Sequence, residues 1–201
     1  MEINKKKYQS EVSKKQIIDA VIHLLAHNGY GMTSIADISQ LTGLTKGALY
    51  HHFTNKDKIF EEAIRFISDN LKKSLIEDFP SEKSCVEQLG ILFERFIDTF
   101  ESNKEALLIL YSLVLEMEDG RAAFAKPLIE VSDALSTFIE KIISKGQANK
   151  EISSQYNAKL VSLNLAGMLF GSIIPWIRNR DRTNFRVIMQ SQKELFLNAI
   201  S

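Results

Sequence analysis

The sequence predicts an all-α fold of about nine helices, a three-helix head followed by a larger helical domain. Only 3 prolines and 9 glycines occur in 201 residues, too few turn formers for a strand-rich chain. Apolar residues recur at three- and four-residue spacing almost from end to end, which is the helical period. Hydrophobic residues make up 45% of the chain, enough to fill a proper core.

Residues 1–10 are polar and lysine-rich and are expected to form a mobile arm. Ile17, Ala20, Val21, Leu24 and Leu25 mark a first helix that ends at Asn28-Gly29. His23 and His27 lie four apart on it, one turn after Asp19, but no third ligand or general base accompanies them, so they are expected on a solvated face. Ser34 and Asp37 have the spacing of a capping box and start a second helix, with Ile35, Ala36, Ile38 and Leu41 as its apolar stripe. Gly43 stops that helix, because glycine takes backbone angles that other residues avoid. Thr45 can cap a third, short helix whose Leu49 and Phe53 face the second. Its outward face keeps Lys46, Gly47, Ala48, Tyr50 and His51, a cation, small residues and hydrogen-bonding rings suited to a DNA major groove. His51 and His52 are adjacent, about 100° apart on a helix, and do not easily chelate together.

Asn55 or Thr54 can cap a long helix through Ile59, Phe60, Ala63, Ile64, Ile67 and Leu71, ending before Pro80. Val86, Leu89, Phe93, Phe96, Ile97 and Phe100 trace the next helix. Ala106–Met117 is apolar nearly all round, implying a buried helix that closes at Met117–Gly120. Leu128, Val131, Leu135, Phe138, Ile139 and Ile142 follow, with Pro127 in the first turns (or kinking a helix begun near Arg121) and Gly146 at the end. Residues 160–177 carry no charge, which approaches the length of a membrane span. Ser162, Asn164, Ser172 and Pro175 lower its apolar character, so a helix buried in a soluble dimer is expected, Gly167 and Gly171 permitting close approach. Phe185, Ile188, Met189, Leu195, Phe196 and Ala199 form the last helix.

Net charge is zero, but residues 1–60 hold 8 Lys against 5 Asp or Glu, an excess of +3, and the remaining 17 against 20 give −3. A basic head on a mildly acidic body fits nucleic-acid contact at the head alone. A single cysteine, Cys85, excludes an internal disulfide and fits a reducing compartment. No Glu-x-x-His pair, phosphate-binding glycine loop, zinc pattern or activated nucleophile occurs, so catalytic residues, a metal site and a cofactor are not expected.

The run GLTKGALYHHF at residues 43–53, followed by Asn55-Lys56 and Lys58-Ile59-Phe60 and preceded by Thr33 and Ile35-Ala36, resembles the DNA-binding domain of the tetracycline-repressor (TetR) family of bacterial regulators. Turn glycine, capping threonine, tyrosine, paired aromatic positions and following lysine are in register, and the resemblance covers roughly residues 12–60. It implies a DNA-binding domain at 1–55 and a regulatory and dimerisation domain at 56–201. It further implies a cytoplasmic homodimer, outside the membrane, that represses from a palindromic double-stranded operator and is released by a small hydrophobic effector. By position in the motif, Thr33 and Ser34 would hold phosphate at one helix N-terminus and Lys56 at another. Thr45, Lys46, Gly47, Ala48 and His51 would meet bases or the adjoining backbone, and Tyr50 a phosphate. Gly167, Phe170, Gly171, Ile174, Phe185, Met189 and Phe196 are expected at the dimer bundle. Phe93, Phe96, Tyr111, Phe138, Asn164 and Met168 are expected around the effector, with Asn164 the leading polar contact.

Overall fold

The computed structural model describes residues 2–116 and 126–200, and these contain nine helices and no strand. The helices are α1 (Glu2–Met32), α2 (Ile35–Thr42), α3 (Lys46–His52), α4 (Lys56–Leu75), α5 (Cys85–Glu116), α6 (Lys126–Ala148), α7 (Ala158–Gly171), α8 (Ile173–Asn179) and α9 (Phe185–Ile200). The expected closing turn at Met117–Gly120 and the alternative start at Arg121 lie outside the described residues.

Two compact units form, one from the described residues of Met1–Ser68 and Glu105–Leu128, the other from Asp69–Lys104 and Ile129–Ser201. The first unit therefore takes more than residues 1–55. Ile59, Phe60, Ala63 and Ile64, in the first turns of α4, are fully buried in this unit, which carries its limit to Ser68. Residues 2–10, expected as an arm, continue α1 back to Glu2. No glycine or proline interrupts the chain before Gly29, and the lysines and glutamine there are good helix formers. Gly29 (φ 71°, ψ 174°) breaks α1 as expected. Ile17, Ile18, Val21 and Leu25 of α1 are buried with Ile38, Leu49 and Phe53 of the two helices that follow.

The stripe expected on α2 is narrower than its sequence suggests. Ile38 is completely buried, but Ala36 is exposed and Leu41 is 50% exposed. With only two turns, α2 reaches the core through one position. Leu41 instead borders a shallow groove of about 380 Å³ with Leu24, Asn28, Asp37 and Gln40.

In the second unit the core gathers Leu89, Leu92, Phe93, Phe96 and Ile97 of α5 with Leu135, Ile139 and Ile143 of α6, Leu165 and Leu169 of α7, and Phe185 and Met189 of α9. A chain break in helical geometry at Asn103 (φ −141°, ψ 42°) divides α5, so the two helices expected at 86–100 and 106–117 are one bent element. Ser84 and Glu87 cap its start reciprocally, the hydroxyl donating to the carboxylate at 2.7 Å. Arg95 closes the far end of α4: its guanidinium donates to the carbonyls of Glu77 (2.6 Å) and Asp78 (2.8 Å) and lies over the Phe79 ring. Carbonyls at a helix C-terminus lack intrahelical donors, and a cation there meets the negative end of the dipole.

Pro127 sits in the first turn of α6, where its missing N–H costs nothing. Gly146 near the other end packs closely; a Cβ there would come within 2.6 Å of Ile152 and 2.9 Å of Cys85. The Cys85 thiol is buried and its pKa is raised, first by burial and then by the Glu151 charge, whose carboxylate accepts the Cys85 backbone N–H.

Candidate nucleic-acid interface

Local chemistry builds the helix-turn-helix. Ser34 takes extended backbone angles ahead of α2, its hydroxyl accepts the Asp37 N–H at 3.2 Å, and Asp37 accepts the Ser34 N–H at 2.7 Å. The Ser34 hydrogen bonds hold the Asp37 carboxyl below the usual carboxylate range. Gly43 ends α2 in the left-handed region (φ 69°, ψ 6°). Ser39 donates to the Leu44 carbonyl at 2.6 Å and the Thr42 hydroxyl accepts the Leu44 N–H, so two side chains of α2 fix the turn. Thr45 then caps α3 by accepting the Ala48 N–H at 3.2 Å.

This frame leaves α3 with one buried face and one open face. Leu49 is completely buried and Phe53 nearly so, whereas Thr45, Lys46, Gly47, Tyr50 and His51 are exposed and Ala48 is half-buried. Tyr50, at 50% exposed, does not join the core. A Cβ at Gly47 would meet only the Thr45 hydroxyl, at 3.9 Å, so the backbone is open to close approach there. His52 is half-buried, and its pKa is lowered, first by burial and then by the charges of His51 and Lys14.

Two predicted phosphate contacts look different in three dimensions. Thr33 is buried, 1% exposed, and its hydroxyl donates to the Gly29 carbonyl at 2.8 Å. It secures the α1–α2 corner and its hydroxyl does not reach solvent, a correction to its expected role. Adjacent Ser34 is the exposed member of the pair. Lys56 is half-buried, donating to the Tyr30 carbonyl at 3.3 Å, with its ammonium 4.5 Å from the Tyr30 ring and 5.2 Å from the Phe60 ring. Tyr30 also donates to Asp57 at 2.5 Å and packs edge-on against Phe60. Tyr30 was not singled out from the sequence. An aromatic residue just after a helix-ending Asn-Gly was the available signal, but its partners lie 26 and 27 positions away. Asn55, of the two candidates, caps α4 through the Lys58 N–H.

The residues expected around an effector differ in their settings where their side chains are described. Phe93 and Phe96 are fully buried core rings, Phe93 against Phe196 and Phe96 edge-on to Phe170. Phe138 is half-buried and packs edge-on to Phe79. Met168 is half-buried on α7, and the Tyr111 side chain lies outside the described residues. Asn164 is exposed, so the leading polar candidate stands on the outer face of α7, a correction.

The dimer candidates divide by helix face. Gly167 is exposed and Gly171 half-buried; a Cβ at either would meet nothing within 4 Å, and Ile174 is exposed. Phe170 is half-buried on Phe96. Phe185, Met189 and Phe196 are buried in the chain's own core, Phe185 stacked on Phe100 at 3.7 Å, which removes them from any outer surface. The sequence could not say which of two apolar faces on α9 turns inward. The outward one holds Val187 and Leu195, eight positions apart. Leu160, Leu163, Gly167 and Ile174 line the corresponding outer face of α7 and α8. Ala158–Asn179 is long and apolar enough to cross a membrane, and a third of its most apolar window is buried in the chain's own fold.

A capped helix, a three-residue turn carrying an αL glycine, and a second helix with an open cationic and aromatic face define a helix-turn-helix protein of the DNA-binding class. Residues 17–63 match the profile of the bacterial regulatory proteins of the tetR family, so this stretch is similar to the DNA-binding domain of those transcriptional regulators. It is 20% identical over 185 residues to the fatty acid metabolism regulator protein of Bacillus subtilis, covering 92% of this chain and 94% of that one. Against the nucleoid occlusion factor SlmA of Vibrio vulnificus it is 23% identical, covering 83% and 84%. Its fold is similar to that of the transcriptional regulator FadR from Bacillus subtilis in complex with stearoyl-CoA, with a TM-score of 0.78, 19% identity and coverage of 93% and 99%.

Proposed function

We propose that the chain is a homodimeric, ligand-controlled repressor that leaves a palindromic operator when a small hydrophobic effector binds. The observation that carries the reading is the open face of α3, where Lys46, Gly47, Tyr50 and His51 stand clear of the core. Lys46 and His51 supply hydrogen bonds for base edges, Gly47 lets the backbone approach, and Tyr50, Ser34 and Lys56 take phosphates. Thr33 is left out of this set because its hydroxyl is spent inside. One head of this size contacts only a few base pairs, so useful specificity needs two, placed about 34–36 Å apart to enter successive major grooves.

Leu160, Leu163, Gly167, Ile174, Val187 and Leu195 supply the surface for the second copy, because large apolar side chains at helical spacing are costly to leave in water. The stearoyl-CoA held by the structurally similar FadR supports an effector with a hydrophobic body. Operation in the cytoplasm follows from the reading, since operator DNA lies there.

Binding selection from random duplexes, followed by gel shift, tests the proposal. Recovery of a two-fold site that binds at least a hundredfold tighter than random DNA supports it. Enrichment of no sequence, or of a site without two-fold symmetry, overturns it.

A further inference from the structure

At the corner where α8 turns into α9 the second unit carries a shallow cleft of about 500 Å³, largely open to solvent. Its floor is aromatic. Phe100 and Phe185 stack at 3.7 Å with 22° between planes, and Trp176 stands edge-on to Phe100 at 4.9 Å and 81°. The two phenyl rings are buried but Trp176 is only half-buried, so part of the indole faces the cleft. The rim is cationic. Lys104, Arg180 and Arg182 line it and make no ion pair among the described residues. Of the two carboxylates beside them, Glu101 is held by the Arg186 guanidinium at 2.6 Å, which leaves Asp181 against three cations.

The indole packs on Phe100 with one part and leaves the rest uncovered, and the three cations beside it have no ion-pair partner among the described residues. The volume lies within the range of small-molecule sites, which pair apolar walls with a few convergent polar groups. We propose that the cleft binds a small aromatic anion, its ring packed on Trp176 and its carboxylate or phosphate held by Arg180 and Arg182, with Lys104 adding charge. Arginine suits either oxyanion, since its planar fork offers two parallel donors. Its lining shares no residue with the open face of α3 or with the outer face of α7 and α9. Within α8, Ile174 is two positions before Trp176, about 200° round the helix.

Trp176 is the sole tryptophan, so its emission reports on the cleft directly and without DNA. The full chain is titrated with phenylacetate, phenyl phosphate and neutral phenylacetamide, with calorimetry as a second readout. The expected result is saturable quenching by at least one anion and binding of the amide at least tenfold weaker. The stronger of the two anions identifies the oxyanion. Arg180→Gln with Arg182→Gln should weaken the anion about tenfold and leave the amide unchanged, while Arg182→Lys retains part of the effect. Circular dichroism of each variant checks that the helices are intact. No saturable quenching by either anion, equal affinity for the amide, or indifference to the double substitution overturns the proposal.

Discussion

Lys56 places its ammonium 4.5 Å from the centre of the Tyr30 ring and donates to the carbonyl of the same residue at 3.3 Å. One cation thereby fastens the end of α1 to the first turn of α4, and the Tyr30 hydroxyl returns the contact through Asp57. An ammonium has three donors, so this bond leaves two for a phosphate. The lysine is thus built into the head and still offers charge at a helix start.

Lys56→Ala is accordingly expected to act twice. It should lower the stability of the head by about 1 kcal/mol through the lost cation–π contact and hydrogen bond. It should also weaken operator and random DNA about equally and flatten the salt dependence, because a phosphate contact displaces counterions without reading sequence. Tyr30→Phe keeps the ring and carbonyl that hold Lys56, loses the bond to Asp57, and should leave the salt dependence unchanged. Melting curves and binding titrations at several salt concentrations separate the two, and an unchanged salt slope in Lys56→Ala would remove it from the phosphate contacts.

Thr33 and Ser34 should behave oppositely despite being neighbours. Thr33→Val leaves the half-buried Gly29 carbonyl without its side-chain donor and should cost about 1 kcal/mol of stability, with DNA affinity of the folded fraction preserved. Ser34→Ala removes a cap worth about 1 kcal/mol and should weaken DNA binding as well. Denaturant melts and gel shifts on both variants decide this, and DNA loss in Thr33→Val at full folding would reverse the assignment.

These two residues also show what the sequence could and could not reveal. The Ser34–Asp37 box, the αL glycine at 43 and the Thr45 cap are contacts within three or four positions, and motif spacing specifies them. Most helix positions were legible for the same reason, although the helices expected at 86–100 and 106–117 are one bent element and residues 160–177 divide into α7 and α8. That Thr33 turns its hydroxyl inward depends on where Gly29 presents its carbonyl, and one-dimensional spacing does not contain that. Asn164, Phe185, Met189 and Phe196 failed for another reason. Helices α7 and α9 are apolar on more than one side, so periodicity finds the stripes without saying which meets the chain's own core.

The outer glycines offer a clean test of the dimer surface. A side chain at Gly167 meets nothing within 4 Å in its own chain, so Gly167→Leu should leave helical content intact. If a second copy packs there, the added bulk should shift sedimentation from dimer toward monomer, as should Leu195→Glu on α9. In a chain that uses neither surface, Gly167→Ala should simply stabilise, by up to about 1 kcal/mol, through helix propensity. A dimer undisturbed by both larger changes excludes this face.

Glu94 links α5 to α9, accepting from Lys193 at 2.5 Å and from Gln190 at 2.9 Å. Lys193 foremost, then Gln190 and the Arg186 charge, overcome burial and hold its carboxyl below the ordinary value of 4.5. A lowered carboxyl pKa stabilises the folded state above the unfolded value and loses that contribution as pH falls through the folded one. Glu94→Gln should therefore melt lower than the parent at pH 7, by no more than about 1 kcal/mol since the group is partly exposed. The two curves should converge below about pH 4. A gap that persists in acid would place the effect in packing.

Gly146→Ala should be among the costliest single changes in the second unit. The new methyl would sit 2.6 Å from Ile152 and 2.9 Å from Cys85, inside contact distance for both. Overpacking of this kind costs about 1–3 kcal/mol. Calorimetric melting measures it, and an unchanged midpoint would mean that α6 and its neighbours yield freely.

The burial of Cys85 makes the chain convenient to label. Its only thiol is enclosed, and burial and the Glu151 charge disfavour the reactive thiolate, so maleimides and alkylating reagents should find no target in the folded protein. A single cysteine introduced at His51, on the open face of α3, would then be the sole reactive position. A dye or spin label could be attached there with the native thiol left in place.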